Sequence, residues 1–332
     1  MKNIRPFILD LFIWTYNCLV SYKIIYEKIL LNSIANDFHW IQLIISFGFG
    51  IIISLGFFNT DFSLGRKLFL TKAQSETSKP FFILYLVLFL TFIASYFITQ
   101  ISVKEFFSKD GIDGAKRIFS ALMHPEFKIF EEGLFTAIET IYMAFMATIL
   151  SLPIAFILSF FAARNLMSKN KFHFFIYSLI RLMLNLTRSI EPLVWAIVFS
   201  VWVGIGPFSG MLALWLHSIA SLTKLYSEQI EHCDEGPIEA ITSTGAHPIQ
   251  IVWFGIVPQV FIPFISYSLY RWDINVRMAT VIGLVGGGGI GNLLMQYQGQ
   301  ARWNEVGMLV ILIAIIVWIM DYSSSKLREI LK

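Results

Sequence analysis

The chain is poor in cysteine and in charge. Two of its 332 residues are cysteine, Cys18 and Cys233, in separate segments. They offer neither a disulfide framework nor a metal-ligand set. Only 14% of residues are Asp, Glu, Lys or Arg, against roughly 25% in a soluble globular domain. The formal net charge of +3 is too small to point to nucleic acid. Its six histidines (His39, His124, His173, His217, His232 and His247) do not fall at metal-ligand spacing. The densest local group, His232-Cys233-Asp234-Glu235, consists of adjacent residues, which rarely converge on one ion. No H-E-x-x-H, G-x-S-x-G or G-x-x-x-x-G-K-[ST] occurs, so neither a metal, nor another cofactor, nor a catalytic centre is implied. Apolar side chains take the place of the missing charge: 56% of residues are hydrophobic and 32 are Phe, which is a membrane composition.

Crossing the hydrocarbon takes about 20 apolar residues. Candidate spans run over 7–30, 41–58, 81–101, 135–162, 190–204, 207–226, 256–272 and 304–322. The expected fold is therefore all-α, a polytopic membrane protein of about eight transmembrane helices. The first span is the weakest, with Asp10, Lys23 and Glu27 in or near it. Lys2 and Arg5 before it and Ser33-Ile34-Ala35 after it outline a signal peptide, but its length and the interruptions at Asp10 and Asn17 favour a retained helix. Phe172 to Arg188 is amphipathic and is expected along the cytoplasmic interface, with Arg181 and Arg188 toward water. Eight spans put both termini on one side. Lys2, Arg5, Arg66, Lys67, Lys72, Lys79, Arg164, Lys169, Lys171, Arg181, Arg188, Lys224, Lys326, Arg328 and Lys332 on that side outnumber Lys104, Lys109, Lys116, Arg117, Lys128, Arg271, Arg277 and Arg302 on the other, which makes it cytoplasmic. This predicts a multi-pass membrane protein with lipid all around it. The polar stretch Asp61 to Lys79 is the best internal boundary. Residues 1–80 read as an extension with two candidate spans and a cytoplasmic linker, and 81–332 as the main transmembrane domain. No internal repeat is seen, and no inverted repeat of the secondary-transporter kind.

One polar island stands out, the loop 227–256. It holds Glu228, Glu231, Asp234, Glu235 and Glu239. Gly236-Pro237 suits a helix start, which puts Glu239 in the first turn, where a carboxylate favours the dipole. Small Ala240, Ser243 and Thr244 permit close approach of another protein, Gly245 ends the helix, and a second helix begins near Pro248 and re-enters the membrane at Val257-Pro258-Gln259. The plain alternative is a solvated loop between spans.

Two further features bear on function. Gly286-Gly287-Gly288-Gly289-Ile290-Gly291 satisfies G-x-G-x-x-G, but it lies between membrane spans without the βαβ unit that a dinucleotide site needs. It reads either as close helix packing or as a non-helical turn lining a pathway, whose amides attract an oxyanion in transit. Arg271, Asp273 and Arg277 flank the outer end of the span 256–272, where Arg271 or Arg277 suits an anionic ligand. The alternative is an Arg271–Asp273 structural pair or snorkelling side chains.

Lys224 to Gln259 resembles the coupling region of binding-protein-dependent ABC importer permeases, and within that group the phosphonate permease (PhnE) family. Further segments resemble the family in order: Arg164-Asn165-Leu166, Arg188-Ser189-Ile190, Leu193-Val194-Trp195-Ala196, Gly204-Ile205-Gly206-Pro207-Phe208, Tyr270 to Arg277, and Val281 to Gly291. The resemblance covers about residues 80 to 330. Residues 1–80 are extra, and Glu191-Pro192 stands where the family has proline before glutamate, a swap that suits a subgroup with a ligand such as phosphite. The resemblance implies the importer permease fold and a transport subunit rather than an enzyme. Its implied partners are cytoplasmic ATP-binding subunits, an extracytoplasmic phosphonate-binding protein and a second permease subunit, expected to be an identical copy. It gives Glu239, Ala240, Gly245 and Pro258 the role of coupling to the ATPase. The pathway candidates remain Arg271, Arg277, Gly286, Gly287, Gly288 and Gly289. The competing readings are a permease for another small ligand such as methionine, whose permeases share the glycine-rich tail, and an intramembrane enzyme, for which no paired carboxylates or Ser/His set is visible.

Overall fold

A computed structural model describes residues 4–22, 40–57, 63–65, 79–99, 101–168 and 170–330. Lys2, Lys23, Glu27, the Ser33–Ala35 stretch, His39, Asp61, Arg66, Lys67, Lys72, Lys169 and Lys332 lie outside the described residues. All secondary structure among the described residues is helical. The chain forms two compact units, Met1–Ile112 and Asp113–Lys332.

The first unit holds α1 (Ile4–Tyr22), α2 (Trp40–Phe57), α3 (Lys79–Ile98) and the short α4 (Val103–Phe106). Asp10, the charge that weakens the first apolar run, is buried. Its carboxylate accepts the Gly65 N–H at 2.8 Å and the Ser63 hydroxyl at 2.5 Å. An acidic group is tolerated in an apolar helix when both oxygens are bonded. Gly50 lets α2 lie against Thr15 of α1, and the Tyr16 and Thr91 hydroxyls join α1 to α3 at 2.9 Å. The helix α5 (Lys109–Leu122) carries the chain across the boundary between units.

The second unit is built on α6 (Phe130–Ala162), α7 (Arg164–Met167), α8 (Lys171–Ser189), α9 (Pro192–Val203) and α10 (Pro207–Glu231). After these come α11 (Glu235–Ser243), α12 (Pro248–Ile251), α13 (Val257–Gly283), α14 (Gly289–Gly299) and α15 (Trp303–Ile330). Its centre is α6, about 50 Å long at 1.5 Å per residue. One side of α6 is a buried stripe of small residues: Gly133, Ala137, Thr140, Ala144, Ala147, Thr148, Ser151, Ala155, Ser159 and Ala162. Small side chains at this spacing let neighbouring helices approach closely. α10 and α13 pack on α6. One core cluster joins Ala144 and Ala147 of α6, Ala213 and Leu214 of α10, and Val276 and Ala279 of α13.

Phe127–Ala162, Pro248–Gly283 and Trp303–Ile330 are long and apolar enough to cross a membrane alone, and α8 with α9 passes as a pair bent by 90°. α10, with 25 residues, is shorter and more polar, and its Ser209, Ser218, Thr223 and Ser227 are buried in protein. The bend after Ser189 matches the amphipathic stretch expected there. Arg188 is exposed as expected, whereas Arg181 is not simply turned to water, because it is bonded inside the unit. The largest correction concerns the span expected to end at residue 272. α13 runs on to Gly283, so Arg271 and Arg277 lie within the helix and not beyond its end. Charge suggested a membrane boundary there, but neighbouring helices accommodate that charge instead.

Candidate functional site

The polar island forms two short helices joined by a glycine turn. α11 starts two residues earlier than Pro237 suggests, so its first turn carries Glu235, and Glu239 sits one turn further on. Gly245 takes φ +78°, a left-handed position that favours glycine, and donates its N–H to Thr242 O at 3.0 Å. His247 then caps α12. Its ring Nδ1 accepts the Ile249 N–H, the Gln250 side chain accepts the His247 N–H at 2.8 Å, and Pro248 fills the first helical position. No residue of α11 is buried. Glu239, Ala240, Ser243 and Gly245 all face outward, and half-buried Ile238 and Ile241 rest on Gly255. His232 bonds Glu228 O through its ring, and Cys233 donates to Gln229 O. Burial pushes the Cys233 thiol above its usual pKa.

The exposed segment is firmly held at both ends. A π-helical stretch, Val252–Ile256, precedes α13, and Pro258 lies in the first turn of α13, where a missing N–H costs nothing. One residue on, Gln259 reaches back. Its Oε1 accepts the Asp234 N–H at 3.0 Å, while its Nε2 donates to Gly255 O at 2.6 Å and to Asp234 O at 3.4 Å. The start of α11 is thereby clamped to the start of α13. On the other side, Glu231 closes α10. Its Oε1 accepts the Arg181 Nη2–H at 2.8 Å and the Arg164 N–H at 2.7 Å. Arg181 Nε also donates to Ala162 O at 3.0 Å, and Asn165 donates to Ile230 O at 3.0 Å. One carboxylate thus ties the end of α10 to the start of α7 and to Arg181 in the middle of α8, which in turn holds the end of α6. Charge-assisted bonds of this kind are worth about 1.5–3 kcal/mol when shielded. With both side chains 25% exposed, the lower end applies. Tyr226 stacks on Phe264 with ring centroids 3.9 Å apart and bonds Ser268 at 2.7 Å, joining α10 to α13 just above.

The glycine run is a joint between helices. Gly206 donates to Gly286 O at 2.9 Å, and Ile290 donates to the Thr140 hydroxyl at 2.9 Å. Gly287, Gly288 and Gly289 are buried, and a Cβ on them would meet Ile282, Pro207 and Thr140 respectively. The Gly286 and Gly287 N–H groups already bond Gly283 O and Ile282 O. Close packing is what this turn does within the chain, and half-buried Gly286 is its least covered member.

The charges of α13 separate onto two faces. Arg277 pairs with Asp273 and, at 2.9 Å, with Asp321 of α15. Arg271 does not pair with Asp273. It donates from Nε to Ser218 of α10 at 3.0 Å. Ser218 also bonds Asn275, whose amide donates to Thr148 of α6 at 2.9 Å. In the sequence Gln259 stands out only as part of the re-entry point, and no motif marks Glu231 with Arg181, or Ser218, Asn275 and Thr148, as functional groups. A polar residue inside an otherwise apolar helix was the available signal for Ser218 and Asn275.

Residues 155–331 match the family described as binding-protein-dependent transport system inner membrane component. The chain is 34% identical over 220 residues to the phosphite transport system permease protein PtxC of Stutzerimonas stutzeri, a match that covers 66% of this chain and 78% of PtxC. It is 38% identical over 193 residues to the putative phosphite transport system permease protein HtxC of the same organism, covering 58% of this chain and 67% of HtxC. Among solved structures, a chain of the inward-facing MetNI methionine ABC transporter superposes with a TM-score of 0.52 at 21% identity, covering 62% of this chain and 99% of that one.

Proposed function

The chain belongs to the family of binding-protein-dependent transport system inner membrane components, and from that premise we propose that it is the permease of an ATP-driven importer of phosphite, phosphonate or a closely related oxyanion. It is a transport subunit of the ABC importer type and not an enzyme. The observation that carries the coupling role is the α11–α12 segment, with no buried residue in α11 yet clamped by Gln259 on one side and Glu231 on the other. A force applied to Glu239, Ala240 or Gly245 passes into α13 through Gln259, next to Pro258, and into α6, α8 and α10 through Glu231. ATP binding closes a partner ATPase, α11 moves as a rigid body, and the long helices rock between two openings. An oxyanion is favoured over methionine because the phosphite permeases share 34% and 38% identity, while methionine import permeases share 24% to 27%.

The partners are two cytoplasmic ATP-binding subunits, an extracytoplasmic phosphonate- or phosphite-binding protein, and a second copy of this chain that completes the pathway. Both termini are cytoplasmic in this reading, which places α11 on the side where ATP is available. Residues 81–332 form the permease domain, and 1–80 an extension that precedes it. Arg271 belongs to the pathway, with the glycine turn at Gly286–Gly289 as the joint on which the pathway helices pivot.

The test is uptake. The chain, expressed with the ATPase and binding protein encoded beside it, should restore phosphite or methylphosphonate uptake to cells that lack it. Deleting 235–251 should abolish copurification of the ATPase. Methionine uptake without oxyanion uptake would overturn the substrate assignment, and an intact complex after the deletion would overturn the docking surface.

A further inference from the structure

Two polar pairs share α13, and only one is electrically closed. Arg271 and Asn275 are four residues apart, as are Asp273 and Arg277, so each pair shares a face. A step of two residues turns a helix by about 200°, which keeps Asp273 away from Arg271. On one face, Arg277 is neutralised by Asp273 and Asp321. On the other, Arg271 is 6% exposed, its hydrogen-bond acceptor is the Ser218 hydroxyl, and its Nη2 is buried with no hydrogen-bond partner. Among the described residues no carboxylate forms an ion pair with it. Ser218 and Asn275 hold each other at 2.8 and 3.2 Å, and Thr148 holds Asn275, so the guanidinium is oriented by a neutral, fully buried scaffold. His217, beside Ser218, also has a buried Nδ1 without a partner.

The depth is informative. Arg271 is fourteen residues into α13 from Val257, about 21 Å at 1.5 Å per residue, and Ser218 is about 20 Å from Glu231 along α10. Each lies near the midpoint of its helix, which puts it well inside a hydrocarbon layer about 30 Å thick. A cation there is costly, and a donor left unbonded adds to the cost, unless a counter-charge arrives. α10 and α13 are the two helices that flank α11 and α12, so a movement of that segment changes their separation.

We propose that Arg271, oriented by Ser218 and Asn275, is a mid-membrane transit site for the transported oxyanion, closed in this conformation and opened when α10 and α13 part. The proposal rests on the reading of the chain as an oxyanion importer. The open donor sits on a single guanidinium, which suits a ligand that must leave as readily as it enters.

Phosphite uptake per ATP hydrolysed tests it in the complete transporter reconstituted in liposomes. Arg271→Met should lower that ratio at least about thirty-fold, as expected when one partner of a buried charge contact is removed, and Arg271→Lys should recover part of it. Wild-type complex that imports no oxyanion overturns the functional reading itself. Wild-type import with an unchanged ratio in Arg271→Met overturns only the site. The purified Arg271→Met permease should also unfold at the same or a higher temperature than wild type, because an unpaired buried charge has been removed. A lower midpoint, or loss of pairing between permease subunits, assigns Arg271 a structural partner instead and overturns the site. Should that variant fail to accumulate, Ser218→Cys gives an independent readout. During turnover an anionic methanethiosulfonate should react at least about tenfold faster than a cationic one, owing to the nearby guanidinium, and phosphite should slow it. Equal rates with no protection would overturn the proposal.

Discussion

The polar island at 227–256 and the Ser218–Arg271–Asn275 network are both hydrophilic groups in an apolar protein, but they are satisfied in opposite ways. Within α11, α12 and the turn between them, bonds close over two to four residues, Gly245 to Thr242, His247 to Gln250 and Ile249 to His247, and longer-range bonds hold only the two ends of the island. In the network, Arg271 and Ser218 are 53 residues apart, and Asn275 and Thr148 are 127 apart. The island keeps its shape by local rules and can move as a unit. The network exists only while α6, α10 and α13 are packed, so it changes whenever they do. A transporter of this family needs both kinds of region, one that receives force without deforming and one whose state depends on how the helices lie.

Substitutions can break this contrast. The largest effect is expected from Gly245→Trp, which forces a bulky side chain onto a left-handed turn at the exposed tip. Uptake should fall by about a hundredfold or more, with membrane insertion intact, as for other strained turn positions that must dock a partner. Normal uptake together with normal protein in the membrane fraction would remove the island from the mechanism. Next comes the anchor behind it. Glu231→Gln and Arg181→Met should each reduce uptake by about tenfold, and the exchanged pair Glu231→Arg with Arg181→Glu should recover a measurable part, a non-additivity that only a direct contact produces. Additive losses in the double variant would show that the two act separately.

Gln259→Leu probes the other clamp and should be milder. It removes three hydrogen bonds near the surface, at about 1 kcal/mol each, so ATP hydrolysis should persist while uptake per ATP falls about threefold to tenfold. An unchanged ratio would mean that α11 drives α13 by packing of Ile238 and Ile241 alone. The smallest effect on uptake is expected from Arg277→Gln. Its side chain is 46% exposed, but its partner Asp273 is only 4% exposed, so stability should drop by about 1–3 kcal/mol, most of it from the carboxylate left without its ion pair. Uptake should change less than about threefold. A loss comparable to that of Arg271→Met would return Arg277 to the pathway and erase the distinction between the two faces of α13.

Much of the second unit was legible in the order of residues. The span expected at 135–162 is found as 130–162, and those at 190–204, 207–226 and 304–322 are found as α9, α10 and α15, the last two extending further toward the C-terminus. Runs of apolar residues and flanking Gly, Pro and charge carry that information directly. The end of α13 was not legible, because Arg271, Asp273 and Arg277 in one run look like an exit from the membrane until their partners on other helices are known. For the same reason Arg181 looked like a water-facing residue, although Glu231 lies 50 positions away. The shape of the island was legible because its glycine, proline and capping residues act on their immediate neighbours.

Composition, the all-helical membrane character, the glycine turn at Gly245 and the resemblance to importer permeases follow from the sequence alone, since hydropathy, backbone freedom and helix capping are local properties. The tertiary structure alone decided which charges are neutralised. Arg277 is closed and Arg271 is left open because a helix turns its residues onto different faces, and only packing determines which acceptors each face meets.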